Sequence, residues 1–289
     1  MSKPKILLQL DSDTHASVFD AVVALDADVN HLLQYREVES TRVRELVHGA
    51  MFTRGVPDLK STAIFIGGSS VKLGEQLLEA VKKCFFGPLR VSVMLDANGA
   101  NTTAAAAVLA ARKHVELAGA TVAVLGGTGP VGQRAARLLA GEGALVRVAS
   151  RDLERAQQVC DALGKKVPPQ RLSPHQAANS LQTSQIVADC QIVIAAGAAG
   201  VELLSSEVRQ ASKALRVAID LNAVPPAGIA GIDVMDKAVE HEGVICYGAI
   251  GVGGTKMKIH KAAIRRLFES NDLVLDAEEI YELGKSLSS

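Results

Sequence analysis

The run Gly126-Gly127-Thr128-Gly129-Pro130-Val131-Gly132 carries the strongest chemical signal in the chain. The apolar segment Thr121 to Leu125 leads into it, and Gln133 to Leu139 leaves it with the pattern of a helix. A strand, a glycine turn and a helix start in that order cradle a pyrophosphate. The free amides of the first helical turn and the helix dipole both favour an anion. In this pattern Gly127 permits the turn, Gly129 lets the backbone approach the phosphates and Gly132 lets the helix pack on the strand. Thr128, Pro130 and Val131 complete the binding turn. The next apolar run, Leu145 to Ala149, ends in Ser150-Arg151-Asp152, where a ribose-binding residue belongs. A carboxylate there would bond a free 2′-hydroxyl and repel a phosphate, whereas the hydroxyl and guanidinium that come first here suit a 2′-phosphate. The expected cofactor is NADP(H), with Asp152, one residue late, as the competing NAD-type carboxylate.

A second cluster runs from Gly248 through Gly251, Gly253 and Gly254 to Thr255, Lys256 and His260. The spacing predicts a helix starting near Gly254 or Thr255, after glycines that let the backbone lie close to a ligand. Lys256 and His260 are four apart and share a face that continues through Ala263 and Leu267. The plainer alternative is a solvated lysine and a core histidine. Asn98, Asn101, Thr102 and Thr103 gather at the junction of two regions, where sites tend to form, although helix capping accounts for them as well. Asp11 and Asp13 lie on a strand-end loop. Ala196 and Gly197 are small enough for a nicotinamide ribose to approach, and Asn222 closes another strand just before Pro225-Pro226. The seven histidines have no metal-ligand spacing, and no Gly-x-Ser-x-Gly elbow occurs.

Alternating strands and helices position these residues. Strands are expected at 5–10, 62–66, 89–95, 121–125, 145–149, 192–195, 216–221 and 244–247, and helices at 18–27, 73–85, 102–117 and 272–283. Such alternation implies parallel sheets with right-handed crossovers, and ligands then sit beyond the C-terminal strand ends. The expected fold is two-domain α/β. A substrate domain spans 1–104, completed by the helix of 272–289, and a doubly wound Rossmann-type NADP domain spans 105–271.

Bulk properties exclude other classes. At 48% hydrophobic and 21% charged residues the chain is globular, and its zero net charge without long charged runs argues against nucleic acid or an anionic membrane as partner. No apolar run approaches a membrane span. The four scattered cysteines form no Cys-x-x-Cys pair, and the start is too short in apolar residues for a signal sequence. A reducing, cytoplasmic setting is expected.

The segments Ser61 to Gly68, Met94 to Ala105, Gly126 to Gly132, Asn222 to Asp233 and Gly251 to His260 resemble the NADP-dependent methylene-tetrahydromethanopterin dehydrogenases of methylotrophic bacteria, some of which use methylene-tetrahydrofolate. The similarity covers essentially the whole chain in order. It implies two α/β domains flanking a cleft, a reduced pterin or folate one-carbon carrier as substrate, and a homo-oligomer, with a trimer as the family's form. The family's active-site phenylalanine falls on Phe19, its threonine on Thr102, its lysine on Lys256 and its histidine on His260. Asn98, Asn101, Thr103 and Asp11 are expected to bind substrate around them. In the reaction this implies, hydride leaves a methylene carbon held between two nitrogens, and a nitrogen lone pair stabilises the resulting methenyl cation. No base is required, so Phe19 would stack on a substrate ring, Thr102 would bond a polar group and Lys256 would orient the ring.

Two alternatives stand beside this reading. A shikimate-dehydrogenase-like NADP oxidoreductase shares the domain plan, but its lysine belongs in the first domain, where Lys60, Lys72, Lys82 and Lys83 have no glycine- or asparagine-rich context. A non-catalytic NADP(H) sensor would leave Thr102, Lys256 and His260 unexplained.

Overall fold

The computed structural model describes residues 3–287. In chain order the first elements are β1 (Ile6–Leu10), α1 (Val18–Asp26), β2 (His31–Tyr35), α2 (Val43–Phe52), β3 (Thr62–Ile66), α3 (Val71–Cys84), β4 (Ser92–Leu95) and α4 (Ala100–Arg112). There follow β5 (Thr121–Leu125), α5 (Pro130–Gly141), β6 (Leu145–Ser150), α6 (Leu153–Leu163), β7 (Leu172–Gln176), α7 (Ser180–Val187) and β8 (Ile192–Ala195). The chain continues through α8 (Ser206–Ala211), β9 (Val217–Asp220), β10 (Lys237–His241), β11 (Val244–Tyr247) and α9 (Ala249–Arg266), and ends in β12 (Val274–Leu275) and α10 (Ala277–Ser286).

The chain divides into two compact units. One takes the chain up to Thr102 and again from Met257 onward, and the other is Thr103–Lys256. The expected return at residue 272 thus comes earlier, at Met257, partway along α9. The reason is that α9 is a single helix whose later residues belong to the first unit's core, with Ile259, Ala263 and Ile264 buried and Arg265 bonded to Asp28 at 2.9 Å.

The first unit is built on a five-stranded sheet of order β12-β4-β3-β1-β2, parallel throughout. The order reverses between β1 and β3, so a crevice opens at their C-terminal ends, beside Asp11 and Gly67. Every residue of β3 and β4 is buried, which accounts for their unbroken apolar reading. Sequence patterning passes over β2, because this edge strand is mostly exposed and His-Leu-Leu-Gln-Tyr has no buried run.

The second unit is built on a seven-stranded sheet of order β10-β11-β9-β8-β5-β6-β7, antiparallel only at β10. Strands β5 and β8 flank its switch point, and their ends deliver Gly126 and Ala196 to the crevice.

Several helix starts differ from expectation: α3 begins at Val71 and α10 at Ala277, and two more bear on candidate residues. α4 begins at Ala100, so Asn101 and Thr102 occupy its first turn and are not its caps. The Asp96 carboxylate takes over that role, accepting from the amides of Asn101 at 2.9 Å and Thr102 at 3.0 Å. α9 begins at Ala249 and runs through Gly251, Gly253 and Gly254.

Candidate functional site

In the second unit a cavity of about 640 Å³ lies over the β5/β8 switch point. Gly126 forms its floor at φ +71°, so the left-handed turn residue is Gly126, where the sequence pattern had pointed to Gly127. A Cβ on Gly126 would lie 2.5 Å from the Cα of Gly197, so the two glycines let β5 and β8 end in backbone contact. Gly127 is required for packing instead, since a Cβ there would meet Val148 at 2.9 Å. Gly132 packs the helix on the turn, as expected, with Gly126 O 2.7 Å from where its Cβ would stand. Gly129 is the N-cap of α5 and lines the cavity with Thr128, Pro130, Ala196 and Gly197, while Val131 lies outside the lining. The cavity wall therefore presents the amide end of a twelve-residue helix.

Ser150 and Arg151 line the same cavity, as does Arg155, which the sequence reading missed. Asp152 lines the cavity too, and one of its oxygens serves a helix cap. Its side chain caps α6, accepting from Glu154 N at 2.9 Å and Arg155 N at 3.3 Å. The same cap starts the helix that carries Arg155 back to the cavity. The signal for Arg155 was its place one turn after a capping aspartate. This end of the cavity thus combines two exposed guanidiniums with the Ser150 hydroxyl, a donor set that fits a 2′-phosphate, and the Asp152 carboxylate stands beside them with its Oδ1 bonded to backbone.

Asn222 is placed differently from expectation. Its amide closes its own loop, donating to Pro226 O at 3.0 Å and accepting from Val224 N at 3.0 Å, and it does not line the cavity. The nearby Asp220, also missed, organises that loop by accepting from the amides of Asn222 and Ile229 at 3.0 Å each. Burial pushes its carboxyl above the usual carboxylate range, against these backbone bonds, which lower it. The loop returns the carbonyl of Gly228 to Leu203 N at 2.8 Å, and Leu203 walls the cavity beside Gly197. Gly248 and Gly251 also serve packing and not a ligand. Cβ atoms there would stand 2.1 Å from Asp233 O and 1.7 Å from Asp236 O. Lys256 is partly buried on α9, one turn before His260.

In the first unit the strand ends assemble a second polar cluster. Asp96, at the end of β4, is 1% exposed, and its Oδ2 accepts from the Thr102 hydroxyl at 2.6 Å. The same oxygen lies 3.9 Å from His260 Nδ1. The His260 ring stacks on Phe65 at 5.5 Å and 25°, and the Phe19 ring is 6.5 Å away, tilted by 38°. Thr102 and His260 are fully buried, whereas Phe19 is 52% exposed. Asn101 donates to Leu95 O at 2.6 Å and to Asp276 Oδ1 at 2.9 Å, tying the start of α4 to the start of α10. Asp11 is buried and holds its own loop, accepting from Asp13 N and Ser17 N at 2.9 and 3.0 Å. Asn98 is exposed at φ +55°, its amide donating to Gly68 O, and Thr103 is half-buried on α4. Of the residues expected to bind substrate, Asn101 joins the Asp96 cluster, while Asp11 and Asn98 serve neighbouring loops.

The N-terminal domain model of methylene-tetrahydromethanopterin dehydrogenase matches residues 18–98, and the shikimate/quinate 5-dehydrogenase model matches residues 108–244. The bifunctional protein MdtA of Methylorubrum extorquens is 45% identical over 290 residues, covering 100% of both chains. The NAD(P)-dependent methylenetetrahydromethanopterin dehydrogenase of the same organism is 32% identical, covering 98% of both. The chain belongs to the methylenetetrahydromethanopterin dehydrogenase family. Its fold is shared more widely. Quinate dehydrogenase from Corynebacterium glutamicum in complex with NAD superposes with a TM-score of 0.56 at 14% identity, covering 98% of this chain and 100% of that one. The 5-ketofructose reductase of Gluconobacter sp. strain CHM43 follows at 0.53 and 15%, covering 99% of each. These likenesses concern the Rossmann-type two-domain fold. The region matched by the methylene-tetrahydromethanopterin dehydrogenase model, residues 18–98, contains Phe19, Phe65 and Asp96.

Proposed function

We infer that this chain is an NADP-dependent dehydrogenase that oxidises a methylene-tetrahydromethanopterin or methylene-tetrahydrofolate carrier to its methenyl form. The match of residues 18–98 to the methylene-tetrahydromethanopterin dehydrogenase N-terminal domain carries this reading, and relatives at 45% and 32% identity align with essentially the whole chain. The shikimate-type match over residues 108–244 is accounted for by the cofactor-binding architecture alone. A sensor without catalysis has no specific observation in its favour.

The cavity of the second unit fits NADP. Gly126, Gly129 and Gly197 leave space that side chains would fill, the start of α5 faces the pyrophosphate position, and Arg151 and Arg155 with Ser150 would hold the 2′-phosphate. When bound, the nicotinamide accepts the hydride. The electron pair of a methylene C–H bond leaves with that hydride, an adjacent nitrogen lone pair forms the C=N bond of the methenyl product, and no proton changes hands. The protein's task is alignment at near-attack distance. In this reading Phe19, exposed on α1, would stack on a substrate ring, and Lys256 would orient the substrate. Thr102 and His260, both buried, would support Phe19 through the Asp96 cluster.

Residues 103–256 serve as the cofactor domain and the remainder as the substrate domain. No helix among the described residues is long and apolar enough to cross a membrane. A cytoplasmic location accords with the thiols of Cys160, Cys190 and Cys246, which are buried and unpaired by disulfides. Assembly as a homo-oligomer, a trimer on the family resemblance, would cover the apolar stripe of Val18, Val22 and Leu25 on α1, each more than half exposed. Light scattering in solution tests it.

The deciding experiment follows NADPH absorbance with methylene-tetrahydromethanopterin, methylene-tetrahydrofolate and shikimate in parallel. NADPH formation with a methylene carrier and none with shikimate is expected. Turnover of shikimate alone would refute the reading.

A further inference from the structure

We propose that Asp96 is a positioning residue for hydride transfer, gathering Thr102 and His260 into one buried brace that fixes the plane of Phe19. The role in hydride transfer rests on the reading of the protein as a methylene-carrier dehydrogenase. The brace itself rests on geometry alone.

A carboxylate removed from water is costly unless its oxygens are bonded, and Asp96 meets that demand from two directions. Oδ1 accepts the amides of Asn101 and Thr102 at 2.9 and 3.0 Å, which satisfies the start of α4. Capping needs no more than this. Oδ2 is spent elsewhere, on the Thr102 hydroxyl at 2.6 Å, with His260 Nδ1 at 3.9 Å. The second distance is too long for a hydrogen bond but brings the imidazole ring within close electrostatic reach of the carboxylate. A hydroxyl has one proton, and that of Thr102 points at Asp96, so its directional bond is used inside the protein. His260 then stands between two rings, 5.5 Å from Phe65 and 6.5 Å from Phe19. Displacing the imidazole moves the support of Phe19, the member of the cluster that is open to a ligand at 52% exposure.

Asp96→Asn is nearly isosteric and still offers one acceptor to the α4 amides, while an NH2 group replaces the oxygen facing Thr102 and His260. Misplacing a reacting ring by about 1 Å can cost roughly 100-fold in rate, so kcat/KM for the carrier is expected to fall by about 10- to 100-fold. The KM for NADP should stay within about twofold, because no fingerprint residue is touched. Thr102→Val removes the same hydroxyl bond at constant volume and should reproduce the carrier-specific loss, and Thr102→Ser should largely restore it. Carbon–proton NMR of 13C-labelled histidine gives a readout independent of turnover. The His260 resonance, assigned by its disappearance in His260→Phe, should carry ring-current displacement in the wild type and shift in Asp96→Asn. An unmoved His260 resonance, native carrier kinetics in Asp96→Asn, or parallel loss for carrier and cofactor with a lowered Tm would each overturn the proposal. Should the wild type turn over no methylene carrier, the functional reading fails, and the resonance still decides the brace.

Discussion

Replacing Arg151 by alanine tests the cofactor assignment most directly. Arg151 lines the cavity at the end of β6 together with Arg155, and both side chains are exposed. A charge-assisted hydrogen bond to a phosphate is worth roughly 1.5–3 kcal/mol. At about 1.4 kcal/mol per factor of ten, that corresponds to a KM change of roughly 10- to 150-fold. Exposure to solvent screens the pair, and Arg155 remains as a second cation, so the single variant should lie near the lower bound, about tenfold. Arg151→Ala with Arg155→Ala together should reach about 100-fold. With NAD, which has no 2′-phosphate, either change should stay within about threefold. The assay is initial rate at saturating carrier, supported by NADPH fluorescence titration, which needs no turnover. Wild-type NADP affinity should also fall with added salt more steeply than that of the double variant. The competing reading is tested alongside. Asp152→Ala removes the α6 cap and should lower stability by about 1 kcal/mol while leaving the NADP/NAD ratio unchanged. Equal loss with both cofactors in Arg151→Ala, or loss of residual NAD use in Asp152→Ala, would refute the assignment.

Gly126→Ala places a Cβ 2.5 Å from the Gly197 backbone at φ +71°, so NADPH binding and thermal stability should both collapse. Gly197→Ala meets only the flexible side chain of Leu203 at 2.7 Å and should be milder in both calorimetry and NADPH titration. Lys256→Ala should slow hydride transfer yet keep the shape of the pH–rate profile and the NADP affinity, whereas loss of a titrating limb with rescue by small amines would mark a general base. Burial pushes the thiols of Cys160, Cys190 and Cys246 up to about 11, so Ellman's reagent at pH 8 should modify Cys84 alone in the native protein and all four cysteines after unfolding.

The sequence by itself determined those features whose cause is local. The strand-turn-helix of 121–139 is legible because its glycines crowd into one short turn between an apolar strand and a helix, with Gly132 packing on the backbone of Gly126 and Gly127. The buried parallel strands β3, β5 and β8 are legible because both of their faces are covered, leaving unbroken apolar runs. The cation after β6 is legible from position alone. Tertiary structure decided what depends on partners distant in sequence. That Asp152 caps α6 while lining the cavity follows from the direction of α6, which also brings Arg155 to the cavity. The glycines of α9 read as a ligand loop until the segment 233–236 is seen against Gly248 and Gly251. Edge strand β2 has too little burial to pattern its sequence. Asp96 gave no local signal, because its partners Thr102 and His260 sit on two different helices, and only the packing of α9 against the β3 and β4 ends brings the imidazole to the carboxylate. A buried charge takes its meaning from whatever desolvates and bonds it, and that is fixed by the fold.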